Sequence, residues 1–119
     1  MTARTSTGLG VDGGTSSAKG VLVALDGTIL RSAVREHAVQ RPAPGQVEMD
    51  AEVWWDEFVS IARELTAPAD AEVTAIGVSG MGPCVVLTDE HGTPVRPAIL
   101  YGVDSRAEEQ IRRLTHVLG

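Results

Sequence analysis

Between positions 12 and 19 the sequence places one carboxylate (Asp12), two glycines (Gly13, Gly14), three hydroxyls (Thr15, Ser16, Ser17) and a lysine (Lys19). Those residue types at that density suit a metal-bound triphosphate. Glycines let backbone N–H groups converge on an anion, hydroxyls and an ammonium donate to phosphate oxygens, and a carboxylate orients Mg²⁺ or its water shell. The Gly-x4-Gly-Lys-Ser/Thr pattern of a Walker A loop is absent. A plain hairpin turn rich in Gly and Ser would have the same composition, so the chemistry depends on what holds the turn.

Residues 8–12, 18–25 and 28–38 read as three strands joined by short turns. Asp26-Gly27 between two extended runs predicts a type I′ hairpin, with positive φ at both central residues. Val21, Val23 and Leu25 fall on one parity and Leu22 and Ala24 on the other, which predicts burial on both faces of a covered sheet. Arg41-Pro42-Ala43-Pro44-Gly45 reads as a loop, because two prolines and a glycine break either periodicity. Asp50 then reads as the N-cap of a helix over 50–66, whose Trp54, Phe58, Ile61 and Leu65 share one face. Ala67-Pro68 ends it.

Further on, Val73 to Ser79 reads as a strand running parallel to the first meander, followed by a sharp turn at Gly80-Met81-Gly82-Pro83. Cys84 to Thr88 reads as another strand, residues 89–92 as a hairpin loop, and Val95 to Tyr101 as an extended edge marked by Pro94 and Pro97. Ser105 with Glu108 predicts a capping box on a last helix with Ala107, Ile111, Leu114 and Leu118 on one face. The order is βββ-α-β-β-β-α, a mixed α/β chain. Two helices are too few to cover both faces of such a sheet, so the chain reads as the front portion of a larger domain.

Composition narrows the partners. With 119 residues and 43% hydrophobic content the chain can bury a core. A net charge of −6 gives no field to attract nucleic acid or an anionic membrane. An anionic nucleotide therefore needs local help from Lys19, backbone dipoles and Mg²⁺. A single cysteine, Cys84, excludes an internal disulfide and fits a reducing cytoplasm; it reads as a small buried strand residue. Met1 to Gly8 has no apolar run of the signal-peptide kind, and no apolar run approaches the roughly 20 residues needed to span a bilayer. His37, His91 and His116 share no metal-ligand spacing and read as surface residues.

The three-strand start with Asp12-x-Gly14-Thr15-x-Ser17-x-Lys19 resembles the first phosphate-binding motif of the ribonuclease H-like, actin-like ATPase fold. Two further segments resemble the FGGY carbohydrate kinases, the family of xylulose, gluconate, ribulose and glycerol kinases. One is Pro44-Gly45-Gln46-Val47-Glu48-Met49-Asp50 running into Val53-Trp54-Trp55. The other runs from Ala75-Ile76-Gly77-Val78-Ser79-Gly80-Met81 through Leu87 to Gly92 and on to Arg96-Pro97-Ala98-Ile99-Leu100-Tyr101 and Asp104-Ser105-Arg106. The resemblance implies a mixed sheet with flanking helices, forming part of a kinase's first domain across residues 1–119.

It also implies roles. Asp12 would be the Mg²⁺-associated carboxylate, with Gly13, Gly14, Thr15, Ser16, Ser17 and Lys19 at the ATP phosphates. Gly80, Met81, Gly82, Tyr101, Asp104 and Arg106 would line a cleft for a small sugar or polyol, Asp104 accepting from hydroxyls and Arg106 donating or bracing it. The catalytic base would be an aspartate beyond Gly119, leaving this chain inert as a kinase by itself. Two departures bear on the sugar: Met81-Gly82-Pro83 stands where many xylulose kinases have Gln-Met-His, and Tyr101 to Arg106 is one residue longer than the common Trp-x-Asp-x-Arg. Several positions stay open. Asp104 equally fits helix-entry chemistry, Trp54 fits core packing, and Trp55 fits either a sugar face or a neighbouring element. A non-enzymatic, nucleotide-sensing or filament-forming relative on the same fold is the other function class, and homo-oligomerisation is compatible with both.

Overall fold

Alternating apolar residues make three antiparallel strands, β1 (Thr5–Gly13), β2 (Ser17–Ala24) and β3 (Ile29–Glu36), in a computed structural model that describes residues 3–119. After the helix α1 (Ala51–Thr66), strand β5 (Ala71–Gly80) adds to the free side of β1 in parallel, giving the order β3-β2-β1-β5. A parallel neighbour needs a crossover of this kind, and α1 supplies it. Two further strands are two residues each, β4 (Glu48–Met49) and β6 (Ala98–Ile99), paired antiparallel, and helix α2 (Glu108–Leu118) follows.

The chain forms two compact units. The sheet unit holds β1–β3, α1 and β5, up to Ala38 and from Ala51 to Met81; the loop unit holds Val39–Asp50 and Gly82–Gly119.

In the sheet unit, register decides which residues meet the helix. Leu9 pairs with Leu22, Val11 with Gly20 and Gly13 with Ala18, so these share one face. Leu22 and Ile61 are fully buried there, joined by Leu9, Val11, Ala18, Ala33 and Leu65, with Phe58 packed against them. Gly20 sits directly beneath Ile61, and a Cβ at that position would collide with the Ile61 side chain. Absence of a side chain at Gly20 is therefore what lets α1 lie down on β2. The expected apolar face of α1 is confirmed, except that Trp54 is only half-buried and its indole Nε1 is enclosed without a partner among the described residues.

Burial on both faces does not hold: Leu22 is fully buried, but on the other face Val21 and Val23 are only half-buried and Leu25 is exposed. Helix α1 lies chiefly over β2 and β3, and Ile76 and Val78 of β5 are 60% and 72% exposed beside the covered positions Leu9 and Val11. The hairpin between β2 and β3 is not type I′ either. Of its residues only Gly27 has positive φ (88°); the Gly27 N–H donates to Ala24 O (2.9 Å) and Ala24 N–H to Thr28 O (2.9 Å). That is a three-residue loop with a left-handed glycine at its end. The Asp26 carboxylate accepts from the Thr28 amide (2.9 Å), which lowers its pKa, and Asp26 keeps negative φ.

The loop unit departs further from expectation. Cys84 to Thr88 is no continuous strand. Val85 pairs with Ile99 and Thr88 with Pro94 as isolated bridges around the expected loop at 89–92, where Asp89 Oδ1 accepts the amides of His91 and Thr93 (2.9 Å each). Pro94 and Pro97 have no N–H to give, so a continuous ladder cannot form between these segments. Cys84 is half-buried outside any strand, and its Sγ lies 3.3 Å from the Tyr101 amide. The capping box is absent: Ala107 is the N-cap of α2 without a side-chain bond, and Ser105 Oγ instead faces Gly45 O at 3.5 Å. Ile111, Leu114 and Leu118 share a face of α2 as expected, and all three are exposed.

Candidate phosphate and sugar sites

Asp12 pairs across the sheet with Lys19 on β2 and with Ser79 on β5. Directly paired residues share a face, so the end of the sheet sets a carboxylate, an ammonium stem and a hydroxyl side by side, on the face opposite the core. Ser79 Oγ donates to Asp12 Oδ1 at 2.6 Å. Oδ2 of Asp12 and the ammonium of Lys19 have no partner among the described residues, and both side chains are exposed. Gly10 and Gly77 continue this face beyond Asp12, leaving a shallow depression of about 470 Å³ bordered by Asp12, Lys19, Val21, Val78 and Ser79. Ser79 belongs to the site by geometry. Its signal in the sequence was the strand register, which places it opposite Asp12 only once β1 and β5 are known to pair.

The turn itself is tightly made. Gly14 N–H donates to Ser17 O (2.9 Å), and a Cβ on Gly14 would stand 2.9 Å from that same oxygen, so only glycine fits without a shift of backbone. Thr15 Oγ1 donates to the thioether of Met81 at 3.0 Å, tying the turn to the Gly80-Met81 bend within the sheet unit. The amides of Thr15 and Ser16 have no partner among the described residues. Two free N–H groups, an unpaired ammonium and a carboxylate with one open oxygen are a donor set that fits a phosphate and its cation. No group of three or more His, Cys, Asp or Glu that could hold a metal occurs among the described residues, so a cation here would rest on Asp12, water and the phosphate oxygens.

His37 is not the surface residue the sequence suggested. Its ring is almost enclosed, with Nδ1 at 2.9 Å and 3.0 Å from the Glu57 carboxylate and Nε2 at 3.0 Å from Thr15 O and 3.2 Å from Gly14 O. A surface assignment fails because α1 and the turn close over it from two sides, which no local pattern reveals.

In the loop unit, Asp104 is the hub. Its Oδ2 accepts from the Val47 amide (2.7 Å) and from Arg106 Nη2 (2.7 Å), while Oδ1 accepts from the Arg106 amide (3.0 Å) and Nε (3.0 Å). The Arg106 guanidinium, followed by these backbone amides, holds the Asp104 carboxyl well below the usual carboxylate range. Arg106 is raised in turn by Asp104 and Glu48. Glu48 is buried and pairs with both Arg106 (2.9 Å) and Arg96 (2.5 Å). Glu48 and Arg96 thus complete a four-membered charge network around Asp104. Within the same unit the Tyr101 ring lies against Gly82, where a Cβ would be 2.7 Å from it. Tyr101, Asp104 and Arg106 border a depression of about 540 Å³ together with Pro83, Ile99 and Ile111. The sheet unit therefore gathers Asp12 to Lys19 with Gly80 and Met81, and the loop unit gathers Gly82, Tyr101, Asp104 and Arg106. Trp55 is exposed and stacks on Phe58, ring centroids 5.7 Å apart.

Residues 7–118 match the family model described as the FGGY family of carbohydrate kinases, N-terminal domain. The chain belongs to this family. Among curated relatives, a xylulose kinase of Staphylococcus xylosus is 30% identical over 112 residues, covering 93% of this chain and 23% of its own. A xylulose kinase of Streptomyces coelicolor is 37% identical over 112 residues, again covering 93% of this chain and 22% of its own. The crystal structure of xylulose kinase from Rhodospirillum rubrum superposes with a TM-score of 0.85 at 34% identity, over 91% of this chain and 22% of that one. FGGY membership fixes the fold as part of the sugar-kinase, actin-like ATPase architecture. The chain spans less than a quarter of the length of these relatives.

Proposed function

We propose that this chain is the N-terminal part of the first domain of a kinase that transfers a phosphoryl group from ATP to a hydroxyl of a small sugar or polyol, of the xylulose kind. The observation that carries the reading is the alignment of Asp12, Lys19 and Ser79 across three strands beside two free backbone amides, in a chain of the FGGY family. Bound MgATP would supply the transferable phosphoryl group and a charge-neutralising cation. Gly14, Thr15, Ser16 and Ser17 would offer backbone and hydroxyl donors to phosphate oxygens, and Lys19 a positive charge. Asp12 would order the cation's water shell through its open oxygen, Ser79 fixing the other one. Gly80, Met81, Gly82, Tyr101, Asp104 and Arg106 are the candidate sugar-side residues. Asp104 already accepts four donors, two on each carboxylate oxygen, so its main part would be to hold Val47 and Arg106 in place rather than to take a hydroxyl directly. The base that accepts the substrate proton would lie beyond Gly119.

The test is sugar-dependent ADP release by the full-length protein, with D-xylulose and glycerol as acceptors. Asp12→Ala should lower kcat by about 100-fold or more while sugar KM changes little, because the metal–phosphate arrangement acts mainly in the transition state. Activity within a few-fold of wild type would remove Asp12 from the site.

A further inference from the structure

The turn that carries the free amides is held from behind by one residue. His37 Nε2 reaches the carbonyl oxygens of Gly14 (3.2 Å) and Thr15 (3.0 Å), and the His37 backbone N–H donates to Ser16 O (3.0 Å). Three consecutive carbonyls of the turn thus converge on His37. Because carbonyl oxygens only accept, Nε2 must carry a proton, which leaves Nδ1 and the Glu57 carboxylate to share the hydrogen bond on the other side.

The consequence follows from peptide geometry. A trans peptide is planar, and its C=O and the next residue's N–H point in opposite directions. Pulling the Gly14 and Thr15 carbonyls inward onto His37 therefore aims the Thr15 and Ser16 amides outward, away from the helix. Those are the two amides without a partner among the described residues. Glu57, on the buried side of α1, fixes the ring, so the helix sets the orientation of the turn through one imidazole.

We propose that His37, anchored by Glu57, is the positioning residue of the phosphate turn: it holds three carbonyls so that the facing amides present a ready-made anion site. The proposal rests on the turn binding the phosphates of ATP, as in the reading above. His37 touches neither ATP nor sugar. It organises the donors that do, and its loss would release the peptide planes to rotate.

The experiment compares His37→Ala, His37→Gln and Glu57→Gln with wild type in the full-length protein. MgATP affinity is measured by calorimetry without sugar, and KM for ATP and for D-xylulose by ADP release. For His37→Ala the expected result is a loss of MgATP affinity of about tenfold, the scale of one well-placed hydrogen bond. ATP KM should rise in step, while D-xylulose KM stays within about twofold, because the variant disturbs donors to ATP and not the sugar-side residues. His37→Gln, which can return one N–H to the turn, should recover most of the loss. Should His37→Ala fail to fold, Glu57→Gln carries the test, expected to weaken MgATP selectively. Unchanged MgATP affinity in His37→Ala or, if that variant does not fold, in Glu57→Gln, or an equal rise in both KM values, overturns the positioning role while wild-type activity keeps the kinase reading intact. A wild-type protein that neither binds MgATP nor releases ADP overturns both.

Discussion

The sheet unit and the loop unit are held by different forces. In the first, Leu9, Val11, Ala18, Leu22, Ala33, Ile61 and Leu65 close a continuous apolar core under one helix. In the second, two strands of two residues each carry little hydrogen bonding, and the chain of ion pairs Arg96–Glu48–Arg106–Asp104 ties the segments together. Apolar packing tolerates a shallow, open site at its end, because the core lies on the other face and is not disturbed by what binds. A charge network has no such separation. The same Asp104 and Arg106 that hold the loops are candidates to meet a substrate, so occupancy there would act on the network itself.

Substitutions should sort along that line. Ile61→Ala removes a fully buried side chain that presses on Gly20, and it should lower the free energy of unfolding by about 2–5 kcal/mol in urea titration. A loss below about 1 kcal/mol would mean the helix is not what holds the sheet unit. Glu48→Gln keeps the shape but strips the charge facing two arginines, Arg96 and Arg106, that are themselves partly exposed. The expected cost is about 1–2 kcal/mol, between a surface and a buried pair, with a larger effect on sugar KM than on ATP KM. A shift confined to ATP KM would break the assignment of the two sites to the two units.

Acid offers the smallest and most selective probe. Asp104 has a lowered pKa in the folded state, so its contribution is fully present above the ordinary carboxylate range near 4 and fades as pH falls below it toward the folded value. The gap in unfolding midpoint between wild type and Asp104→Asn should therefore shrink from pH 7 to pH 3. A gap of constant size would show that Asp104 acts through shape rather than charge. Asp70, lowered by Arg31, and Asp26, lowered by the Thr28 amide, shift in the same direction in the sheet unit, but both are exposed and should contribute less.

What the sequence reveals follows the same division. Periodicity exposes β1, β2, β3, α1 and β5 because apolar burial leaves a mark every second residue or at three-to-four-residue spacing. The candidate phosphate turn is legible because its residues are contiguous. Ser79 and His37 were not, since each reaches the turn only through long-range pairing or helix docking. The loop unit hides more: Glu48 and Asp104 lie 56 positions apart, and charge pairs have no period. There the local rules mislead, as when Ser105 and Glu108 suggest a capping box while Ser105 turns to Gly45.

The pairing of β1 with β5 has a consequence for how the protein is made. Thr5 meets Ala71 and Gly13 meets Gly80, so one whole edge of β1 waits for strand residues more than sixty positions downstream. During synthesis the hairpins β1–β2–β3 can close early, being local. Until residues 71–80 leave the ribosome, the other side of β1 is an unpaired strand edge open to wrong partners. The Asp12–Ser79 bond can form only after that delay. Slowing translation just before β5 should prolong exposure of this edge and raise the nascent chain's dependence on chaperones.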